Sequence, residues 1–183
     1  MDQLKMFLSD DIPEWAKDVR LSFETIDRNP TFGDDKVVAW GAALAAALSA
    51  QNVRLAHEIT SFIEREYREE GTKQIHGARV AAGLMAMTNY YYSFKKFANN
   101  EDVAKMPPGL RMQAYASHGG VSAKNFEIYA LSASIVGKCE GCVSGHVQTL
   151  IEKEGASEKE IQEIGRIASI VGAAAKVMVF AGS

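Results

Sequence analysis

Apolar side chains recur every three or four residues along nearly the whole chain, the spacing that places them on one face of an α-helix. Alanine and leucine dominate residues 37–48, and apolar positions continue at helical spacing through Val53, Ile59 and Ile63. Runs that alternate apolar and polar residues, as strands do, are nearly absent. The pattern therefore predicts an all-α fold.

Residues that start or stop helical hydrogen bonding mark the predicted helix ends. Pro13 suits a first helical turn, and Gly71-Thr72 is predicted to end one helix and to cap a new one over residues 73–94. Beyond it, residues 107–109 and 118–120 predict an irregular section with one short helix. Three further helices are predicted from Ser122 to about Val136, where Gly137 ends the helix, from the cysteine segment to about Glu154, and from a Ser157-x-x-Glu160 capping box through Phe180.

The two halves of the chain resemble each other. A shift of 89 residues superposes Trp40 on Tyr129 and His57 on His146, and a shift of 87 superposes other alanine-rich segments. Repeated helical units can build one continuous core, although alanine-rich helices also align by chance. The prediction is a single helical domain over residues 1–183, with repeats at about 36–94 and 125–180.

Composition limits the function. The 183 residues are 47% hydrophobic and 23% charged, with a formal charge of −3 and a pI near 5.8. An acidic chain without lysine or arginine clusters gives no electrostatic reason to bind nucleic acid or an anionic membrane. The N-terminal sequence lacks the basic start and apolar core of a signal peptide, so we expect a cytoplasmic protein.

The only two cysteines, Cys139 and Cys142, form a Cys-Glu-Gly-Cys motif with His146 four residues further on. Thiols at this spacing can close a small, reversible disulfide. If a helix begins near Cys139, the free N–H groups and the dipole of its first turn lower a cysteine pKa from about 8.5 towards neutral. Cys142 and His146 then share one helix face, which puts the imidazole closer to Cys142 than to Cys139.

Glu127 precedes Cys139 by twelve residues. On one continuous helix this separation is roughly 18 Å, too far for any interaction. If the chain instead reverses near residues 137–138, two antiparallel helices bring Glu127 level with His146. A carboxylate bonded to an imidazole fixes its tautomer and raises its basicity. We therefore predict a proton relay from Glu127 through His146 to Cys142.

Other interpretations of the cysteine pair remain open at this point. A zinc ion could bind Cys139, Cys142, His146 and a carboxylate, although structural zinc more often joins two such pairs. The cysteines could also be buried core residues beside a histidine. A thioredoxin fold does not fit, because its cysteine pair lies in a βαβ unit and this chain offers no strands.

The remaining candidates favour structural roles. Trp40 and the tyrosines at 90–92 could line a pocket or a subunit contact, although core packing is favoured. Met85 is expected to fill a gap in the core. His57 has no cysteines beside it and is interpreted as structural, and His118 has no evident partner in the sequence.

Four blocks occur in order along the chain: residues 12–18, residues 108–112, residues 125–127, and the Cys139-x-x-Cys142-x-x-x-His146 motif. Together they resemble the alkyl hydroperoxide reductase D (AhpD) family, within the carboxymuconolactone decarboxylase-like superfamily. The resemblance runs the full length. It implies an all-α fold with an internal duplication, assembled as a homotrimer.

The resemblance implies a thiol peroxidase that reduces hydroperoxides to alcohols. Cys142 matches the family's peroxidatic nucleophile, which becomes a sulfenic acid, and Cys139 matches the resolving thiol that closes the disulfide. Glu127 and His146 match its proton relay. Gly141 is a departure, because relatives often carry histidine just before the second cysteine, so we expect a slower reaction or a different reductant.

The resemblance also implies partners. In the family, dihydrolipoyl groups on a lipoyl-bearing protein supply electrons, and the enzyme can re-reduce a peroxiredoxin (AhpC-like) partner. We expect no bound cofactor and no metal. Two alternatives are a carboxymuconolactone decarboxylase-like enzyme, for which the cysteine pair is incidental, and a non-enzymatic module with a structural zinc.

Overall fold

The computed structural model describes residues 2–181, and no strand occurs among them, which confirms the all-α prediction. Short 3₁₀ segments, at Glu14–Ala16, Ile26–Arg28, Pro30–Phe32 and His118–Gly120, join some of the helices. The nine α-helices of the described chain are α1 (Asp2–Asp11), α2 (Lys17–Glu24), α3 (Lys36–Ser49), α4 (Val53–Ala98), α5 (Glu101–Lys105), α6 (Gln113–Ala116), α7 (Ala123–Val136), α8 (Glu140–Glu152) and α9 (Glu158–Ala181).

Two helices of equal length, α3 and α7, pack against each other at the centre and are flanked by α4 and α9. They approach closely because the facing side chains are small, and residues 42–47 of α3 have no exposed surface. A Cβ at Gly41 would lie 2.5 Å from the Tyr129 ring, so this contact requires glycine. Ser132 Oγ donates a hydrogen bond of 2.7 Å to the Ala42 carbonyl oxygen. This packing fixes the position of α7, the helix that carries Glu127.

The long helix α4 bends at Arg68, whose φ of 47° and ψ of −122° lie outside the helical region. The sequence predicted a break three residues later, at Gly71-Thr72, and this placement is wrong. Gly71 is buried in the second half of α4, where an added Cβ would lie 2.7 Å from the Ile63 carbonyl oxygen. Glycine therefore permits the close approach of the two halves at the bend, and it does not cap a helix.

The predicted starts of α7 and α9 are confirmed by their capping bonds. Ser122 Oγ accepts a hydrogen bond of 3.1 Å from the Asn125 N–H group. At the start of α9, the Ser157 N–H group donates to Glu160 Oε2 at 2.8 Å, and the Glu160 N–H group donates to Ser157 Oγ at 3.3 Å. These reciprocal bonds are the predicted capping box.

Helix boundaries in the two halves recur with an offset of 87 residues, since α7 begins and ends 87 residues after α3. The turn after α3 contains Gln51 at a φ of 59°, and the turn after α7 contains Lys138 at a φ of 55°. The next residue caps the following helix in both cases, as Asn52 and Cys139. The internal duplication stays a prediction, and an offset of 87, not 89, aligns these elements.

One described helix, α9, is long and apolar enough to cross a bilayer, judged by length and composition alone. It packs against α2, α3 and α7, and its buried side chains include Ile164, Ile167 and Val171. The helix therefore covers the hydrophobic core that α3 and α7 share.

Candidate active site

The cysteine pair lies at the start of α8, where Cys139 is the N-cap residue. Lys138, with its positive φ, turns the chain back after α7, as the predicted reversal requires. Cys139 Sγ accepts a hydrogen bond of 3.3 Å from the Cys142 N–H group. The two sulfurs are joined in a disulfide with Cα atoms 5.2 Å apart, within the ordinary range.

The two cysteines differ in exposure. Cys139 is 1% exposed, whereas Cys142, in the first turn of α8, is partly exposed. Both line the same cavity. The N–H groups of the first helical turn have no helical acceptors, and with the helix dipole they favour negative charge on Cys142. The accessible member of the pair is therefore Cys142.

Glu127 and His146 are brought together by the antiparallel packing of α7 and α8. His146 Nδ1 lies 2.7 Å from Glu127 Oε2. Glu127 is 2% exposed, while His146 is partly exposed and lines the cavity. The contact predicted by counting back from the chain reversal is present.

Two opposing effects act on the pKa of Glu127. Burial is the largest and raises the pKa, but hydrogen bonds from His146 and Tyr115, with the charges of His146 and His118, together lower it below its ordinary value. Glu127 is therefore ionised at neutral pH and only accepts hydrogen bonds. His146 Nδ1 must carry a hydrogen to make this contact, which leaves Nε2 as the atom that can exchange a proton.

Met85 of α4 touches the other ring nitrogen, with Sδ 3.1 Å from His146 Nε2. The side chain is 2% exposed and belongs to the core, as the sequence predicted, but it also lines the cavity. The periodicity of α4 gives the core position and carries no sign of the contact with His146. Met85 thus forms the wall against which the imidazole rests.

Tyr115 is a site residue that sequence reasoning missed. Its hydroxyl group donates a hydrogen bond to Glu127 Oε1. His118, which the sequence left without a partner, packs its ring against Tyr115 at 5.8 Å and against Phe126 at 5.5 Å between centroids. No spacing rule links Tyr115 to Glu127, because α6 is only four residues long and the path to α7 runs through an irregular turn.

The four predicted residues surround or support one cavity of about 480 Å³, a size typical of small-molecule sites. Its walls come from α4, the α6 region, the α7–α8 turn and the first three turns of α8. Besides the cysteines, His146, Met85 and Tyr115, the lining includes the apolar or aromatic side chains of Tyr92, Phe97 and Met112 and the polar side chains of Thr88, Ser93 and Thr149.

Charged residues and a glycine lie at the cavity edge. Lys96 forms an ion pair with Glu140, the residue after Cys139, and the hydrogen bond from Lys96 lowers the pKa of Glu140. Gly141 is exposed, and an added Cβ would meet no atom within 4 Å. The space at residue 141 can therefore hold a side chain, so packing does not explain the absence of histidine there.

Among the other candidates, Tyr92 lines the cavity, whereas Trp40, Tyr90 and His57 do not. Trp40 is 1% exposed and packs against Phe62 with ring centroids 4.4 Å apart, as the core interpretation predicts. Tyr90 is 74% exposed and His57 is exposed, and neither lines the cavity. Among residues 2–181, no group of three or more His, Cys, Asp or Glu side chains is arranged to hold a metal ion.

The sequence of the chain is similar to those of several known proteins. Residues 101–182 match the carboxymuconolactone decarboxylase family. The chain is 33% identical to an alkyl hydroperoxide reductase AhpD of Acidobacterium capsulatum over 91% of this chain and 88% of the relative. It is 32% identical to the protein of that name from Solibacter usitatus, over 93% of both, and 35% identical to that of Rhodopseudomonas palustris, over 90% of this chain and 87% of the relative.

The chain belongs to the AhpD family. This confirms the family resemblance that the sequence blocks carry. The match to the carboxymuconolactone decarboxylase family covers the segment with Glu127, the cysteine pair and His146. The AhpD relatives extend the similarity well beyond this segment, since they align with nine-tenths of the chain.

Proposed function

We propose that the protein is a thiol-dependent alkyl hydroperoxidase and disulfide reductase. The observation that carries the proposal is the joint placement of an accessible Cys142, a buried partner Cys139 and the Glu127–His146 pair around one largely apolar cavity. The relatives named alkyl hydroperoxide reductase AhpD support the same class of reaction. A cavity of this size and polarity suits an organic hydroperoxide.

In the proposed first step, the Cys142 thiolate attacks the terminal peroxide oxygen. The O–O bond breaks, an S–O bond forms, and the sulfur is oxidised to a sulfenic acid while the peroxide is reduced to an alkoxide. His146 Nε2 accepts the thiol proton beforehand and returns it to the alkoxide, which leaves as the alcohol. Glu127 holds Nδ1–H and stabilises the charged imidazole between these transfers.

In the second step, the Cys139 thiol attacks the sulfenic sulfur of Cys142. An S–S bond replaces the S–O bond, and the oxygen leaves as water. The disulfide in the structure corresponds to the product of this step. A dithiol then reopens it through a mixed disulfide at Cys142, the accessible sulfur, and Cys139 leaves as the thiolate stabilised at the helix start.

The proposal extends to partners and assembly. Dihydrolipoyl groups of a lipoyl-bearing protein are the proposed electron donor, and a peroxiredoxin is a proposed second substrate. We further propose a homotrimer located in the cytoplasm, and a cycle that uses no bound metal or organic cofactor. These parts rest on the family resemblance, and sedimentation and reductase assays test them.

A second candidate function follows from the match to the carboxymuconolactone decarboxylase family. The buried Glu127–His146 pair could supply acid–base chemistry to a decarboxylation or isomerisation without either cysteine. The two candidates differ in one requirement. Replacing both cysteines by serine abolishes a thiol peroxidase and leaves a decarboxylase of this kind active.

Thiol counting tests the proposed function. Reduced protein is mixed with one equivalent of cumene hydroperoxide, and free thiols are measured with a chromogenic disulfide. The proposal predicts that both thiols disappear, that one cumyl alcohol forms for every two thiols lost, and that dihydrolipoamide restores the thiols. The Cys139→Ser/Cys142→Ser protein is the matched control. An unchanged thiol count in the unsubstituted protein contradicts the mechanism.

A further inference from the structure

The buried carboxylate of Glu127 has two oxygens, and each meets a different donor. Oε2 faces His146 Nδ1 at 2.7 Å, and Oε1 accepts the hydrogen bond from the Tyr115 hydroxyl group. We propose that Tyr115 is a positioning residue that holds Glu127 ionised and correctly oriented for the proton relay. The proposal rests on the proposed function, in which that relay serves Cys142.

The Tyr115 ring is held independently of its hydroxyl group. It packs edge-on against Phe126 with centroids 5.3 Å apart and against His118 at 5.8 Å. Phe126 is fully buried on α7, beside Glu127 in the sequence. Because these contacts fix the ring, the hydroxyl group is directed at Oε1 before any ligand enters. A phenylalanine at position 115 can keep every ring contact and lose only the donor.

The hydroxyl group is a donor over the whole neutral range. Burial, followed by the hydrogen bond to Glu127 and the charges of Glu127 and Glu154, raises the pKa of Tyr115 well above its ordinary value. Tyr115 therefore stays protonated and cannot act as a base for the relay. Its contribution is a fixed hydrogen-bond donor to a carboxylate that has little water around it.

Three groups act on Glu127 from three parts of the fold: His146 from α8, Tyr115 from α6 and His118 from the following 3₁₀ segment. Of these, His146 must change its bonding during the reaction, and His118 acts only through its charge. Tyr115 alone gives Glu127 a neutral hydrogen bond that persists when His146 moves a proton. Without it, Oε1 becomes a buried acceptor without this donor, which disfavours the ionised form.

Loss of the Tyr115 hydroxyl group should therefore change how peroxidase activity falls at acidic pH. A more basic Glu127 takes up a proton at higher pH, and a protonated carboxyl group no longer fixes Nδ1–H on His146. We expect Tyr115→Phe to move the acidic limb of peroxidase activity up by about one pH unit, roughly a tenfold loss at the low-pH end with a smaller loss at pH 8. Tyr90→Phe is the control, because Tyr90 is 74% exposed and lies outside the cavity.

The experiment combines three measurements on purified, reduced protein. Peroxidase rates are recorded from pH 4 to 9 for the unsubstituted, Tyr115→Phe and Tyr90→Phe proteins. The pKa of the Glu127 carboxyl group is measured by NMR of ¹³C-labelled glutamate, assigned with Glu127→Gln. Tyr115→Phe is then repeated in the Glu127→Gln background, where the effect on the pH profile must vanish if Tyr115 acts through Glu127.

A raised carboxyl pKa and a shifted limb in Tyr115→Phe alone support the proposal. An unchanged carboxyl pKa overturns it, as does a uniform loss of rate at every pH in a variant whose circular dichroism is unchanged. The NMR result does not depend on catalysis. If the unsubstituted protein consumes no peroxide while Tyr115→Phe still raises the carboxyl pKa, the peroxidase function fails and the action of Tyr115 on Glu127 stands.

Discussion

Two chain reversals in this molecule have similar backbone conformations but carry different side chains. The turn from α3 to α4 and the turn from α7 to α8 each place a residue with positive φ before an N-cap residue. Asn52 Oδ1 accepts from the Leu55 N–H group at 3.0 Å, and Cys139 Sγ accepts from the Cys142 N–H group at 3.3 Å. One local geometry therefore serves a capping amide in the first turn and a disulfide-bonded cysteine pair in the second.

The helices that flank the two turns also carry different side chains at equivalent positions. At the offset of 87 residues, Trp40 takes the position of Glu127, and Ile59 takes the position of His146. Trp40 and Ile59 are buried in the core at 1% and 0% exposure. The candidate relay thus occupies positions that the first half fills with apolar side chains. The same backbone arrangement thus accommodates either set of side chains, and only in the second half does it hold a carboxylate–imidazole pair beside the cavity.

The turns also differ in how tightly they are held. Asn52 Nδ2 donates to the Ala175 carbonyl oxygen of α9 at 2.9 Å, which ties the first turn to the core. The second turn opens onto the cavity, with Glu140 and Gly141 exposed between the cysteines. A reductant can therefore approach the second turn, whereas the first is a structural junction.

The largest expected effect is the loss of peroxidase activity when Cys142 is replaced. Its counterpart at the offset of 87 residues is Leu55, whose replacement should lower stability instead. Cys142→Ser should lower the peroxidase rate on the order of a thousandfold or more, because the nucleophile is lost, and should change stability little. Leu55→Ala should cost about 2–5 kcal/mol of unfolding free energy, because Leu55 is fully buried, and should leave the thiols reactive. Peroxide consumption and urea unfolding measure both. Equal losses of unfolding free energy in the two variants would contradict this difference between the two turns.

A smaller effect is expected at the relay. His146→Ala should lower the peroxidase rate about 10²- to 10⁴-fold while the protein stays folded, because proton transfer to and from Cys142 is lost. Ile59→Ala, its counterpart, should cost about 2–5 kcal/mol in unfolding with nearly normal rate per folded molecule. Steady-state kinetics beside circular dichroism distinguish these results. Normal turnover by His146→Ala would remove the imidazole from the relay.

Glu127 should make the unfolding free energy depend on pH in the acidic range, whereas its counterpart Trp40 has no group that titrates there. The folded-state pKa of Glu127 is lowered below its ordinary 4.5, so its ionised form stabilises the fold above pH 4.5, and this contribution is lost as pH falls through the folded-state pKa. The difference in unfolding free energy between the unsubstituted and Glu127→Gln proteins should therefore shrink as pH falls below 4.5. Urea unfolding from pH 3 to 7 measures it, and a constant difference would contradict the assigned direction.

The smallest expected change in stability concerns Gly141. Gly141→His should alter the unfolding free energy by no more than about 1 kcal/mol, because the space is open and a helical glycine is replaced. If a histidine there assists the reaction, as the resemblance to relatives implies, the peroxidase rate should rise several-fold. Gly141→Ala is the matched control for backbone effects. An equal rise in both variants would assign the gain to the backbone.

Much of this arrangement was predictable because it follows local rules. Helical periodicity gave the α-helices, and one chain reversal between α7 and α8 was enough to place Glu127 beside His146. The break in α4 was placed at Gly71 instead of Arg68, because a glycine needed for close packing looks in sequence like a helix cap. Which of these roles a glycine has depends on neighbours that only the folded chain supplies.

Two further features could not be obtained from sequence for physical reasons. Tyr115 reaches Glu127 across an irregular segment whose path no periodicity describes. Matching similar residues gave two offsets, 89 from pairs such as His57 with His146 and 87 from alanine-rich segments. The helix boundaries align at 87 and pair His146 with Ile59. The two halves thus repeat the positions of the helices but not the side chains at these positions.

The most direct test of the account is the site of the sulfenic acid. Reduced Cys139→Ser protein is treated with one equivalent of an alkyl hydroperoxide in the presence of dimedone, and the modified residue is identified by mass spectrometry. The account predicts a dimedone adduct on Cys142, which cannot form in Cys142→Ser. An adduct on Cys139 in the Cys142→Ser protein, with none on Cys142 in the Cys139→Ser protein, would contradict it.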